Sequence, residues 1–535
     1  MNKAIQIIAG SLLASVLAGG SMGASAAGFA ADGLRGENNQ LLLQVTTQAG
    51  SGDTGSRDGA LLYANFRAPS SLVVRPDGTI IVSDSRNHEI RKVTNDQVSV
   101  LAGTFYQKDA KGMPVGALND GGADTALFSD PHGMAADATG NLYVADTGNH
   151  AIRKVSTTGQ VTTIAGDGIT GSVDGRGAKA RFHSPMDVAV AGDGTIYVAD
   201  TLNHVIRSIS PGGDVKTLNA RSERYVEVTK GQAAGAGDYA DGPLASAKFN
   251  EPSGLALDAK GNLYVSDSGN QRIRYIDLAA QTVSTVAGTG KAGRFTDLYV
   301  PGGYADGASS SAAFNFPLGL TVTAEGGVVI ADSQNHSIRY LLDGQVSTLA
   351  GASGQRPGEQ DGTEAGAGFQ RPSDVAVLPD GSLLVADSYN NKIRSIQPYR
   401  LPAGITADDT VKVALNAKRI DFEAAPEINN GRTMVPVRAV TEALGYEVEF
   451  EPGTRAVKLS KDGVAIELYI DRTGVKRFEA GKEAAVQPTD TAPYIKQDIT
   501  YVPVRFFAEQ IGLDVQWDAA TRTAILRTPH SSGKR

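Results

Sequence analysis

The chain has 535 residues, with 50 basic and 58 acidic side chains and a formal charge of −8. It carries no long basic run, so the counterion-release term that drives nucleic-acid binding has no footprint and no nucleic-acid partner is expected. The absence of Cys excludes disulfides, thiolate zinc sites and thiol nucleophiles, while 63 glycines and 22 prolines point to many turns.

Residues 1–27 read as a signal peptide. Lys3 supplies the positive start, Ala4 to Gly20 the apolar stretch, and Ala24-Ser25-Ala26 or Ser25-Ala26-Ala27 a small-residue cleavage site. No later segment approaches the roughly 20 apolar residues that a bilayer requires, so no membrane span is expected after cleavage. The expectation is a secreted, extracellular protein, with association to the cell wall left open by the sequence.

A six-fold internal repeat then decides the fold. Asp-Gly pairs begin at Asp58, Asp120, Asp174, Asp241, Asp306 and Asp361, and a Phe follows eight residues after each Asp, from Phe66 to Phe369. A Pro stands three residues beyond each Phe, from Pro69 to Pro372. Fifteen further on comes an Asp before Ser or Thr, from Asp84 to Asp387, and seven beyond that an Arg, from Arg91 to Arg394. Between the markers lie short runs such as Asp187-Val-Ala-Val190 and Thr195-Ile-Tyr-Val-Ala-Asp200, which alternate like strands and carry no helical period. Each repeat is expected to be a four-stranded antiparallel unit. Outer-strand text such as Val161-Thr-Thr-Ile-Ala-Gly166 has no copy after Arg394 but has one at Val45-Thr-Thr-Gln-Ala-Gly50. The segment 45–50 is therefore expected to complete the last unit and close the ring, removing exposed edges.

The unit Asp146-Thr-Gly-Asn-His-Ala-Ile-Arg153, preceded by Pro131-His-Gly-Met-Ala-Ala, resembles the NHL repeat. Six copies look like a six-bladed NHL β-propeller over residues 41–397. The Asn-His pair recurs at 87–88, 149–150, 203–204 and 335–336, but copies four and six have Asn270-Gln271 and Asn390-Asn391. That exchange marks the His as a turn residue and not as a metal ligand or base.

After an expected linker at 398–410, a tail over 411–530 repeats itself at a spacing of 67, with Val435-Pro-Val-Arg438 returning as Val502-Pro-Val-Arg505. Each Pro should start a short helix, with Val437, Val440 and Leu444, or Val504, Phe507 and Ile511, on one face. Each half reads as a small α+β unit, so the fold class is an all-β six-bladed propeller followed by a small α+β tandem-repeat domain. Arg438 with Glu442, and Arg505 with Glu509, are spaced for ion pairs along those helices. The tail resembles the copper amine oxidase N-terminal-like or stalk domain. That resemblance implies a presentation or adhesion module, since one His, His530, and no Cys leave copper without ligands and no cofactor is expected.

Whatever all six blades share must serve the blade, so function is sought where they differ. Around the Phe-x-x-Pro segments, on the channel face, stand Asp130, His132, His183, Asp187, Glu251 and Asp374. These carboxylates and imidazoles are channel-mouth candidates for a divalent metal, with Asp187 and His183 the leading pair. Three long loops, before blades two, four and five, carry Phe105, Tyr106, Tyr225, Phe295, Tyr299 and Tyr304 as candidate stacking surfaces for a ligand. The leading reading is a secreted, non-enzymatic binding protein whose loop face holds an extracellular glycan, peptide, cell-wall or protein partner. The alternative is a metal-dependent lyase or lactonase of the propeller type.

Overall fold

The computed structural model describes Phe29 and residues 33–37, 39–75, 77–289, 297–351, 356–479, 482–483 and 491–529. The expected signal segment 1–27 and His530 lie outside the described residues. Six antiparallel sheets follow one another round a ring, and the inner strand of blade six touches that of blade one. Blade three shows the plan: Asp187–Val190 lies at the channel, then Ile196–Asp200, Val205–Ile209 and Asp214–Thr217 follow outward. The Asp-Gly segment is more than a turn. In five blades it adds a short fifth strand, as Gly175–Arg176 does against Asp214–Thr217, because its extended backbone meets the unpaired outer edge. Blade two keeps four strands and a single bridge from Gly121 to Val161. Leu43–Ala49 lies between Lys392–Pro398 and Gly362–Thr363 in blade six, with Val45 opposite Ile396.

The apolar core sits between neighbouring blades, where Ile81 and Ile90 of blade one pack with Phe128 and Val144 of blade two. The repeated polar residues hold each blade from within. In blade three the buried Arg207 reaches Asp200 at 2.8 Å and Asp174 at 2.6 Å, with its guanidinium 5.1 Å from the Phe182 ring. Equivalent arginines at 91, 153, 274, 339 and 394 are also wholly buried and paired to two aspartates each. Such a charge is tolerated in a core because both carboxylates and the aromatic face compensate its lost hydration.

The Asn-His pair joins one blade to the next. Asn203 donates to Asp200 and to the Gly171 carbonyl, and His204 follows in the left-handed region at φ 57°. The His204 Nδ1 accepts the Glu251 N–H of blade four at 3.1 Å, and His88, His150 and His336 accept Asp130, Ser184 and Arg371 in the same way. Gln271 and Asn391 do the same with a side-chain carbonyl, taking the N–H of Phe316 and Ala68. An acceptor is all the joint needs, which explains why an amide replaces imidazole in two copies.

In the C-terminal domain Pro436 and Pro503 precede α1 (Val437–Ala443) and α2 (Val504–Gln510). The two repeats do not form separate units. Lys412–Leu415 of the first pairs in parallel with Thr523–Arg527 of the second, Arg432–Pro436 pairs with Ile499–Pro503, and both helices feed one core. Interlocking lets each half cover apolar surface that it is too small to bury alone. Arg505 pairs with Glu37 of the N-terminal segment, across to the other end of the chain. Within 398–410, Tyr399 is buried in a cluster with Leu42 and Ile525, so this stretch lies in the seam between the two domains.

Candidate functional site at the channel mouth

The blade-to-blade joints fix the backbone of Ala68, Asp130, Ser184, Glu251, Phe316 and Arg371, each just before the Pro that starts an inner strand. All six are non-glycine residues held in the left-handed region, with φ between 50° and 53°. Strain of this kind is kept only where the surroundings over-determine it. Beside them lie the short turns between the second and third strands, such as Ser85–Asn87 and Ser388–Asn390. A cavity of about 700 Å³ opens among these segments. Its upper wall holds Arg67, Arg371 and Phe316 beside the prolines, Arg86 and Tyr389 on the turns, and Met113 from the long loop before blade two.

The floor lies two residues into the inner strands, where five of the six blades present Ser71, Gly133, Asp187, Gly319 and Asp374. Glycine is required at 133 and 319, because a Cβ there would fall 2.0 Å from Asp187 Oδ1 and 2.2 Å from Asp374 Oδ1. Asp187 accepts the N–H of Val188 at 2.8 Å and of Leu255 at 2.7 Å. Asp374 accepts those of Val375 at 2.8 Å and Leu72 at 2.9 Å. Burial, then the nearby Asp374 charge, pushes the Asp187 carboxyl well above the ordinary range, and burial lifts Asp374 to about 6. At the mouth Asp130 stands 3.5 Å from Arg86 and 3.8 Å from His132. Burial works to raise its pKa, but His132 and Arg86 together hold it below the usual value. Arg371 lies 4.9 Å over the Tyr389 ring and donates to its hydroxyl at 3.2 Å.

Of the channel-mouth candidates, Asp130, His132, Asp187 and Asp374 line this cavity. Glu251 turns aside to accept the Tyr299 hydroxyl at 2.9 Å. His183 stands edge-on to His150 with ring centres 5.9 Å apart, so it is not gathered with Asp187 on the cavity wall. Among the described residues, no three His, Asp or Glu side chains come together in a group that fits a metal ion.

Among the loop aromatics, Tyr106 and Tyr225 are 65% and 73% exposed and offer open faces. Tyr299 packs edge-on against Phe316 of the cavity wall, and Phe105 lies under the Lys108 ammonium. Tyr304 is a fold residue: its ring covers Arg339 at 4.7 Å and its hydroxyl meets Thr348 at 2.7 Å. Phe295 lies outside the described residues. Sequence reasoning missed Arg67, Arg86, Met113, Phe316 and Tyr389. A usable signal was the position two after the motif Asp, which reads Arg86, Gly148, Leu202, Gly269, Gln334 and Tyr389 through the six copies.

The NHL repeat family matches residues 128–155, 249–274, 314–339 and 369–394, and the copper amine oxidase N-terminal domain family matches 414–526. The chain carries NHL repeats and a copper amine oxidase N-terminal domain. The chain is similar to the chloroplastic protein SUPPRESSOR OF QUENCHING 1 of Arabidopsis thaliana, at 32% identity over 52% of this chain and 26% of that one. NHL repeat-containing protein 2 of Homo sapiens is 29% identical over 56% of this chain and 42% of that one. The chain thus spans about a quarter to a half of the length of these curated relatives. A solved auxiliary nutrient binding protein from Bacteroides thetaiotaomicron superposes with a TM-score of 0.48 at 14% identity, over 67% of this chain and 76% of that one. No helix of the described residues is long and apolar enough to cross a membrane.

Proposed function

We propose that the protein is a secreted binding module that takes a small polar ligand of the cell surface at the channel mouth and leaves it chemically unchanged. One observation carries this reading. The paired Asp and Arg residues repeated in all six blades are consumed by ion pairs within the fold, whereas Arg67, Asp130, His132, Asp187, Arg371 and Asp374, which do not repeat, line one cavity of about 700 Å³. That volume, with a few oriented polar groups among Met113, Met186, Phe316 and Leu318, has the make-up of a small-ligand site. The exposed Tyr106 and Tyr225 extend the same loop face toward a larger glycan, peptide or protein partner, and the C-terminal domain presents it. A metal-dependent lyase or lactonase activity finds less support, since His132 has one carboxylate neighbour at 3.8 Å and His183 stands apart from the cavity.

The test is co-sedimentation of the full chain with isolated cell-wall material, beside an Arg371→Ala/Tyr389→Ala variant. The wild type should pellet, the variant should stay in solution, and soluble wall fragments recovered from the complex should have unchanged masses. Equal pelleting of the variant would remove the cavity as the binding site, and altered fragment masses would make the protein an enzyme.

A further inference from the structure

We propose that the channel-mouth cavity is built for a short zwitterionic peptide, its protonated amino terminus against Asp187 and Asp374 and its carboxyl terminus at Arg371 and Arg67. This rests on the binding reading of the same cavity given above and names the ligand class that the chemistry selects.

The aspartates of the blades are not alike. Six of them, including Asp84, Asp200 and Asp387, each sit directly on a buried Arg. Asp187 and Asp374 have no such partner among the described residues and hold only backbone N–H groups, with the Ser71 hydroxyl beside Asp374. They belong to blades three and six, which face each other across the six-membered ring, and their like charges oppose each other. A half-buried carboxylate without a cation carries part of the desolvation cost of its charge, and two in one site repel each other. A ligand ammonium supplies the missing positive charge. A neutral sugar hydroxyl does not, so the floor discriminates between the two.

The other end of the cavity has the opposite sign. Arg371 stands just before the inner strand Pro372–Val377 that carries Asp374, so the basic rim and the acidic floor belong to the same cavity wall. A short peptide presents its two opposite charges at its two ends and can meet both. Arg371 is held by Tyr389, while Arg67 is held by Asn87 at 3.1 Å and by Met113 at 2.9 Å. Both guanidinium groups are therefore oriented before a carboxylate arrives, which lowers the ordering cost of binding. Between the two ends, Met186, Phe316 and Leu318 give the middle of a peptide an apolar wall.

Isothermal titration of the full chain with trialanine, N-acetyl-trialanine, trialanine amide and maltotriose tests this directly. Trialanine should bind, acetylation should weaken it about tenfold or more, and amidation should weaken it by a smaller factor. Asp187→Asn should reproduce the loss seen on acetylation. Arg371→Gln, an exposed position where folding is not at stake, should make trialanine and its amide bind alike. Silence of trialanine, or equal binding of the acetylated peptide, overturns the proposal. Binding of maltotriose in place of trialanine overturns it while leaving the cavity a ligand site, whereas wild-type sedimentation of the Arg371→Ala/Tyr389→Ala variant removes the underlying reading itself.

Discussion

Arg527 of the C-terminal domain and Glu364 of blade six form a buried two-armed ion pair, with Nη1 and Nη2 at 2.9 and 2.7 Å from the two carboxylate oxygens. The same Arg donates to the Leu43 carbonyl at 3.2 Å, and the same Glu accepts the Leu43 N–H at 2.9 Å. Leu43 begins the strand that closes the propeller ring. The C-terminal domain is thus anchored on the closure itself, and the Thr363 N–H to Pro529 carbonyl bond at 3.1 Å reinforces the contact.

Because Arg527 and Glu364 are 1% and 8% exposed, Arg527→Met should leave the Glu364 carboxylate uncompensated in the seam, take the cation from the more exposed Asp514 as well, and cost about 3–5 kcal/mol. Adding Glu364→Gln removes that charge but keeps an acceptor for Leu43, so the double variant should recover at least about half of the loss. Urea unfolding of the three proteins measures both steps. A double variant no more stable than Arg527→Met would show that lost packing, and not the stranded charge, sets the cost.

The ring was legible in the sequence because each blade must repeat the Asp, Phe and Arg that stabilise it, and chemistry repeated six times leaves a register. The extra strand was not legible, since Gly175–Arg176 is too short to alternate. Asp187 and Asp374 stood out as departures from the repeat, but their opposition depends on ring closure, which brings blades three and six face to face. His183 looked like a partner for Asp187 from its nearness in sequence, yet four residues along a strand entrance carry it to His150 instead. The Arg527–Glu364 pair joins positions 163 residues apart, and nothing in the local pattern of either residue marks it.

The blade joints should weaken in acid. His88, His150, His204 and His336 accept a backbone N–H through Nδ1, and burial lowers the pKa of each, that of His204 to about 4. A folded-state pKa below the unfolded value near 6.5 means that the unfolded chain binds the proton first. The stability due to these groups is complete above about pH 6.5 and is lost as pH falls toward 4. Around His204 the charged neighbours are His183 and Arg224, which act in the same direction as burial. His204→Asn keeps an acceptor, as Asn391 does in blade six, but cannot titrate. Its Tm should therefore fall less than that of the wild type between pH 7 and pH 5 in calorimetry. Parallel curves would show that protonation of His204 does not open the joint.

The floor of the cavity should tolerate no added methyl. At Gly133 a Cβ would lie 2.5 Å from the Asp187 Cα as well as 2.0 Å from its Oδ1, so backbone and not a movable side-chain end stands in the way. Gly133→Ala should cost at least about 1–3 kcal/mol by forcing two inner strands apart. Gly192 is the control, because its Cβ would meet nothing within 4 Å. Gly192→Ala should be neutral or stabilising by up to about 1 kcal/mol. Thermal unfolding of the two variants side by side gives the comparison, and equal Tm values would mean that the inner strands slide apart at no cost.

Removing residues 1–50 should convert the closed ring into a self-associating one. Leu43–Ala49 covers the edge of Ile393–Pro398 and brings Thr47 to Asp361, which accepts its N–H at 2.9 Å and its hydroxyl at 3.0 Å. Without that strand, the edge Ile393–Pro398 of blade six presents unpaired backbone groups, a template for pairing with another chain. Glu364 loses the Leu43 N–H, and the apolar cluster around Val45, Phe369 and Ile396 opens to water. Size-exclusion chromatography with light scattering should show oligomers or aggregate at concentrations where the intact chain is monodisperse. Supplying a peptide of sequence 41–50 should restore the original elution, since the missing strand needs no covalent link to pair. A truncated chain that runs as a monomer with the original Tm would show that the ring is closed by its blade-to-blade joints alone.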